Sequence, residues 1–461
     1  MATLPVEVFR SIGLYIPDAS TFFAFLEALG TSAVRGSLEA FWQLGATSPN
    51  ERSLLWPTLV LKEETFHNRE RLALVESVMT YYSHVDVVGL DWCHWVCDLE
   101  WLHEHIGPAT TITWDADFPS SSAEAKLDDW FDLWATLPVT KLDVKNNTAD
   151  QYPLALTADA MPYFCAVLPR CHRLASLVID SSPSLPAILE RCVLPPSLVS
   201  IDMNTDSTCS FNAASLAHAQ QWLTTAPVRR IYFGCMFLES AVVPAIQNAF
   251  FAALFACPTI ESIDIAGWNL DHLDTAIPLS IPLAIRDLRV DGVMLSANGL
   301  LCIARAVRRS STLENVCIGI FDEPDDFAAF AAAWDELFVA VSFANVKTLE
   351  MTQTFLSDAY WPRLAPHVQA SKLESLSLAH NRITNDGVAW IAQAIQQNET
   401  ISRVCLTGNN IGVDGVTTLV TCMSKRNLHS SVDLTYNPTL SDDEKVNLRA
   451  LAAEAHVDLL L

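Results

Sequence analysis

From Leu373 the chain reads LESLSLAHNRITNDGVAWIAQAIQQNETISRVCLTGNNIGVDGVTTL, and it matches itself with a step of 28 residues. Leu373, Leu376, Leu378, Asn381, Ile383 and Gly387 recur as Ile401, Val404, Leu406, Asn409, Ile411 and Gly415, and a further step reaches Val432, Leu434 and Asn437. A period between about 20 and 50 residues marks stacked structural repeats, in which each unit buries its apolar face only against its neighbours. At 461 residues the chain exceeds what one compact core usually holds, whereas an array lengthens its core with every repeat.

The apolar-x-apolar kernel of this stretch recurs upstream. It stands at Val88-Gly-Leu90, Ile112-Thr-Trp114, Leu142-Asp-Val144, Leu177-Val-Ile179, Ile201-Asp-Met203, Ile231-Tyr-Phe233 and Ile263-Asp-Ile265, then at Leu288-Arg-Val290, Val316-Cys-Ile318 and Leu349-Glu-Met351. With Leu376-Ser-Leu378, Val404-Cys-Leu406, Val432-Asp-Leu434 and Val457-Asp-Leu459 this makes fourteen kernels, spaced by 24 to 35 residues. Period-2 alternation predicts a short strand at each, apolar on one face and polar on the other. Between kernels the pattern turns helical: Val388, Ile391, Ala392 and Ile395 fall at i, i+3, i+4 and i+7 behind Thr384 and Asn385. Strand, turn, helix, turn, connected in one sense, predicts a parallel sheet with helices on its outer side.

These residues resemble the leucine-rich repeat family, in its long, ribonuclease-inhibitor-like class, whose L-x-x-L-x-L-x-x-N pattern stands in LESLSLAHN and again in ISRVCLTGN. The resemblance is specific over residues 373 to 437 and rests on spacing upstream, where Cys93 and Asn147 are among the few family-like residues at the asparagine position. It implies an α/β solenoid over residues 82–461, a horseshoe of about fourteen repeats with the parallel sheet on its concave face. It also implies that Asn381, Asn409 and Asn437 turn inward to satisfy turn backbone groups, as a buried amide must.

Residues 1–61 lack the repeat, and 62–81 read as a connecting helix or linker. Val8, Ile12 and Tyr15 make one helix face, Pro17-Asp18 breaks it, and Phe22, Phe25, Leu26 and Leu29 begin another. This segment resembles an F-box: Leu4-Pro5-Val6-Glu7-Val8 matches the family's opening, Ile12-Gly13-Leu14-Tyr15-Ile16 its next element and Leu55-Trp56 its late Leu-Trp, while Phe41-Trp42 stands in place of the usual middle C-x-x-W. An F-box ahead of leucine-rich repeats implies docking of a Skp-type adaptor of a cullin-RING ubiquitin ligase through Leu4, Pro5, Glu7, Val8, Ile12 and Tyr15, with the repeats binding a protein substrate. The competing expectation is a cap, since the end of an array needs a cover over its apolar surface.

Charge narrows the partners. Twenty-eight basic against 53 acidic residues leave a net charge of -25, which repels nucleic acid and anionic lipid and favours basic protein partners. The start has no basic segment followed by an apolar one, and the longest apolar run, Ala249 to Cys257, is short of a membrane span, so the expectation is a soluble protein of the cytoplasm or nucleus. Twelve scattered cysteines suit a reducing compartment in which free thiols act as small buried hydrophobes. The sequons at Asn146 and Asn398 are read as accidental.

Catalysis and cofactors are not expected. Cys93, His94, Cys97, His103 and His105 lack a zinc knuckle's C-x2-C spacing, and aromatic packing with Trp92, Trp95 and Trp101 explains the cluster better. No G-x-S-x-G, phosphate loop, H-E-x-x-H or dinucleotide fingerprint occurs, and no arginine or asparagine stands out as the catalytic group of a small-GTPase regulator, the alternative function in this repeat class alongside a plain scaffold. Residues between the apolar pairs point from the sheet into the concave surface. Arg230 and Tyr232 are interface-type anchors there, Asp202, Asp264, Asp287 and Asp291 set charge around them, and Arg289 lies on the same face.

Overall fold

The computed structural model describes residues 5–89, 98–119, 126–145, 156–180, 185–204, 210–234, 237–239, 241–271, 273, 284–323, 326–426, 428–438 and 440–461. The chain divides into two units, Met1–Asp202 and Met203–Leu461.

The first unit opens with helices α1 (Val6–Leu14) and α2 (Ala19–Ala28), α2 starting behind Asp18, whose carboxylate accepts the Thr21 amide. Short helical turns and the helix Glu39–Thr47 follow. Aromatic residues close this module. Phe22, Phe41 and Trp56 are buried, with Phe22 and Trp56 stacked at 4.3 Å and the Trp56 indole N–H donating to the Ile16 carbonyl at 2.7 Å. Arg35, although charged, is buried because its guanidinium reaches Glu39 at 2.6 Å, the carbonyls of Leu26 and Gly30, and the Trp42 ring, which meets the requirement that a buried charge be paired and hydrogen-bonded.

Six strands of this unit run parallel in chain order: β1 (Leu59–Leu61), β2 (His84–Val88), β3 (Thr111–Asp115), β4 (Val139–Lys145), β5 (Ser176–Asp180) and β6 (Ser200–Asn204, across the boundary). Two strand readings are corrected. The sheet begins inside the segment read as purely helical, since β1 pairs with β2 through Leu59/Val85 and Leu61/Val87; its half-buried centre, Val60, is apolar, so the triplet lacks the alternation that exposed the others. In β2 the inward pair is Val85 and Val87, three residues before Val88-Gly-Leu90, and Gly89, at φ +60°, follows the strand in a conformation that a glycine adopts freely. The module also packs against the residue that leads into β2: Tyr82 donates its hydroxyl to the Leu55 carbonyl and lies against Phe41 and Trp56.

The cysteine expectation is corrected at one pair. Cys165 and Cys192 are disulfide-bonded with Cα atoms 4.7 Å apart; their separation of 27 residues is about one repeat and brings equivalent edges of neighbouring repeats together. Cys171, Cys257, Cys302 and Cys317 are buried cysteines outside any disulfide.

In the second unit β8 (Arg230–Gly234), β10 (Ser262–Ala266), β11 (Asp287–Val293), β12 (Asn315–Ile320), β13 (Thr348–Thr352), β14 (Ser375–Ser377), β15 (Arg403–Cys405), β16 (Ser430–Asp433) and β17 (Val457–Leu460) pair in parallel in that order. A separate pair, β7 (Ser210–Phe211) and β9 (Phe237–Leu238), runs alongside. Equivalent inward residues stack from repeat to repeat, as in Ile231, Ile263, Leu288, Val316, Leu349, Leu376, Val404 and Val432, all buried. Helices such as Ala297–Arg309, Phe327–Phe343 and Asn385–Gln397 supply the second layer with buried Leu, Ile, Val, Phe and Trp. Among the described residues no helix is long and apolar enough to cross a membrane.

Candidate partner-binding surfaces

Parallel register turns the alternation of single strands into rows across the sheet. The residue between the two inward positions of each strand lies beside its equivalent on the next, so Tyr232, Asp264, Arg289, Cys317, Glu350 and Ser377 form one row on the face away from the helices. Two residues earlier in each strand, Arg230, Ser262, Asp287, Asn315, Thr348 and Ser375 form a second. Arg230, Asp264, Asp287, Arg289, Asn315 and Glu350 line one shallow recess of 290 Å³.

Arg289 organises it. Its guanidinium lies 3.3 Å from Asp291 and 3.5 Å from Glu350, spanning the strand positions on either side of Cys317. Partial burial disfavours the charge on Arg289, but the carboxylates of Asp291, Glu350 and Asp264 act the other way and hold its pKa above the ordinary value. Burial pushes the Cys317 thiol well up, so it sits as a neutral group between Arg289 and Glu350. Asn315 donates its side-chain amide to Asp287.

Two glycines make room for these side chains. A Cβ on Gly234 would come within 2.5 Å of the Tyr232 hydroxyl, and one on Gly319 within 2.0 Å of an Asp291 carboxylate oxygen. Cys317, Asn315, Gly234 and Gly319 escaped the sequence reading. The available signal was a glycine inside an otherwise apolar strand, which often marks a close approach. Arg230, Asp264 and Arg289 come together in the recess, and Tyr232 borders it through its register with Asp264; Asp202 is half-buried at the end of the first unit.

Asn381, Asn409 and Asn437 occupy the turn after successive strands. Asn381 is 6% exposed; its oxygen accepts from the amides of Thr354 and Leu356 and the Thr354 hydroxyl, and its nitrogen donates to the carbonyls of Met351, Leu378 and Ala379. Asn409 accepts from the Ile383 amide and donates to Leu378, Leu406 and Thr407, while half-buried Asn437 accepts from Ile411 and donates to Leu406 and Leu434. Each amide thus ties its own turn to the preceding repeat. Asn398, read only as a sequon, is 2% exposed and does the same at a helix end, donating to Val368, Gln369 and Ser371 and accepting from Thr400 and Ile401.

On α1, three large apolar side chains face solvent: Val8 at 37%, Ile12 at 45% and Tyr15, just past its end, at 88% exposure. Pro5 is its exposed N-cap and Glu7 lies exposed in its first turn, whereas Leu4 lies outside the described residues. Of the Cys/His cluster, Cys93, His94 and Cys97 lie outside the described residues; His103 contacts the Thr136 hydroxyl, and His105 stacks on Trp101 at 4.7 Å.

Parallel strand, turn and helix units, tied in the last repeats by Asn381, Asn409 and Asn437, make an α/β fold of the leucine-rich repeat solenoid type. The family model "Leucine Rich repeat" matches residues 369–392, which include β14 and the first part of the helix after it. Comparison with curated proteins gives no match. Among solved structures, the chain is similar to an internalin (inlF) from Listeria monocytogenes str. 4b F2365, at 11% identity over 76% of this chain and 79% of that one, with a TM-score of 0.39. It is also similar to the leiomodin-1 actin-binding site 2, at 18% identity over 33% of this chain and 86% of that one, with a TM-score of 0.27.

Proposed function

We propose that the chain is a protein-interaction scaffold serving as substrate receptor of a cullin-RING ubiquitin ligase: α1 docks a Skp-type adaptor and the strand face of the second unit holds a protein substrate. The receptor contributes binding rather than chemistry, needs no cofactor, and works in the cytoplasm or nucleus. The observation that carries this reading is the stripe of Val8, Ile12 and Tyr15, three large apolar side chains exposed to solvent beside a module that buries Phe22, Phe23, Phe41 and Trp56. Surface apolar residues clustered on one helix face mark an interaction site more often than chance exposure does. The recess around Arg289 supports the substrate side. It offers four carboxylates, Asp264, Asp287, Asp291 and Glu350, against two arginines, which matches a net charge of -25 and favours a basic segment.

Affinity purification of the tagged chain tests the reading. Adaptor and cullin should co-purify with the unmodified chain and be lost from the Val8→Asp, Ile12→Asp variant, whose circular dichroism should show the repeats still folded because neither side chain belongs to their core. A chain that brings down substrates but neither adaptor nor cullin is a scaffold without ligase function, and a small GTPase captured in their place would favour a regulator of a nucleotide switch.

A further inference from the structure

A second recess lies in the first unit, at the turns where three successive helices lead into their strands. It measures 600 Å³ and is walled by Leu102, Ile106, Leu137 and Pro138 among other apolar residues. Its polar side chains are Thr136, His103, His172, Arg170 and Arg173, all exposed, so its only fixed charges are the two arginines and no carboxylate is among the lining residues. In a chain with 53 acidic and 28 basic residues this local reversal of sign stands out. Arg173 donates one N–H to the Pro108 carbonyl at 3.2 Å, in the turn after the helix Asp98–His105, and Arg170 pairs with the exposed Asp132 at 2.5 Å. Each guanidinium carries five N–H donors in a planar fork that fits a carboxylate. One engaged nitrogen apiece leaves further N–H donors on each guanidinium for a ligand at the recess.

We propose that this recess binds an acidic, apolar-containing peptide segment of a partner protein, its carboxylates on Arg170 and Arg173 and an apolar side chain against Ile106 and Leu137. The charge of the rim selects the acid and the apolar wall selects the peptide over a plain anion. This surface is separate from the strand face of the second unit and has the opposite charge preference, so the two sites discriminate between partners.

Fluorescence anisotropy on the full chain tests it, with a labelled peptide alternating Glu and Leu, a Lys/Leu peptide, and a single-stranded oligonucleotide of matched charge. The Glu/Leu peptide should bind, weaken as salt is raised, and lose at least tenfold in affinity in the Arg170→Glu, Arg173→Glu variant. The Arg170→Lys, Arg173→Lys variant, which keeps the charge, retains more of the affinity, and Arg308→Glu in the second unit leaves it unchanged. Equal binding of the two peptides, or a double charge reversal that alters affinity by less than twofold, overturns the proposal. So does an oligonucleotide that binds more tightly through the same arginines, which would assign the recess to a phosphate backbone. Should the double reversal shift the melting curve, Thr136→Glu at the exposed rim, expected to weaken the acidic peptide several-fold, decides in its place, and unchanged binding there is equally fatal.

Discussion

Asn381, Asn409 and Asn437 share one pattern position but not one environment. Asn381 makes six hydrogen bonds, Asn409 four and Asn437 three, the last being half-buried. Replacement by leucine strands backbone donors and acceptors of two repeats at once, each costing about 1 to 3 kcal/mol if it stays dry. Urea unfolding should therefore rank the losses Asn381→Leu, then Asn409→Leu, then Asn437→Leu, with the exposed Asn410→Ala within about 0.5 kcal/mol of the unmodified chain. An equal loss at all three, or the reverse order, would contradict the ladder. The ladder position was readable from the 28-residue step. Asn398 was not, because a single asparagine at a helix end carries no period, and the three of its six contacts that it donates depend on where the preceding repeat's turn arrives.

At the level of elements, strands were legible because alternation survives in three residues. Ile263-Asp-Ile265 and Leu349-Glu-Met351 are the cores of β10 and β13, with the apolar pair buried and the acid between them outward. Legibility failed where the alternation was masked, as at Leu59-Val60-Leu61, or where a neighbouring match competed, as at Val88. The disulfide of Cys165 and Cys192 was unreadable for another reason: pairing depends on how adjacent repeats stack, which no local spacing reports. In the N-terminal module the Arg35–Glu39 contact makes a pH-dependent prediction. The hydrogen bond from Arg35 holds the Glu39 carboxyl below its ordinary range. A carboxylate with a lowered folded pKa stabilises fully above its unfolded value, about pH 4.3, and progressively less as pH falls through the folded value. Glu39→Gln should therefore cost about 1.5 kcal/mol at pH 7, and the gap to the unmodified chain should narrow on acidification below about pH 4. A gap independent of pH would show that the charge on Glu39 contributes nothing to the module.

On the scale of the whole molecule, a repeat array places its binding groups by register rather than by a pocket, so a sequence of aligned strands already names the outward rows. Arg230, Tyr232, Asp264 and Arg289 were placed on those rows this way. What register alone could not supply was the local arrangement: the two carboxylates that Arg289 spans, the neutral Cys317 between it and Glu350, and the glycines beneath Tyr232 and Asp291. The basic recess of the first unit was equally hidden, since its residues come from three helix ends outside any strand pattern.

The most direct measurement is the affinity of a substrate captured by the unmodified chain for the Arg230→Ala, Tyr232→Ala double variant. Both side chains lie on the outward rows, so the melting curve should not move, while removal of an aromatic anchor and a planar donor at a true contact centre costs about 2 kcal/mol or more, roughly a thirtyfold rise in Kd. Association should also slow with salt as the carboxylates of the recess are screened beyond about 8 Å at physiological ionic strength. Capture of every substrate with unchanged Kd by the double variant would contradict the account and move the binding surface off the strand face.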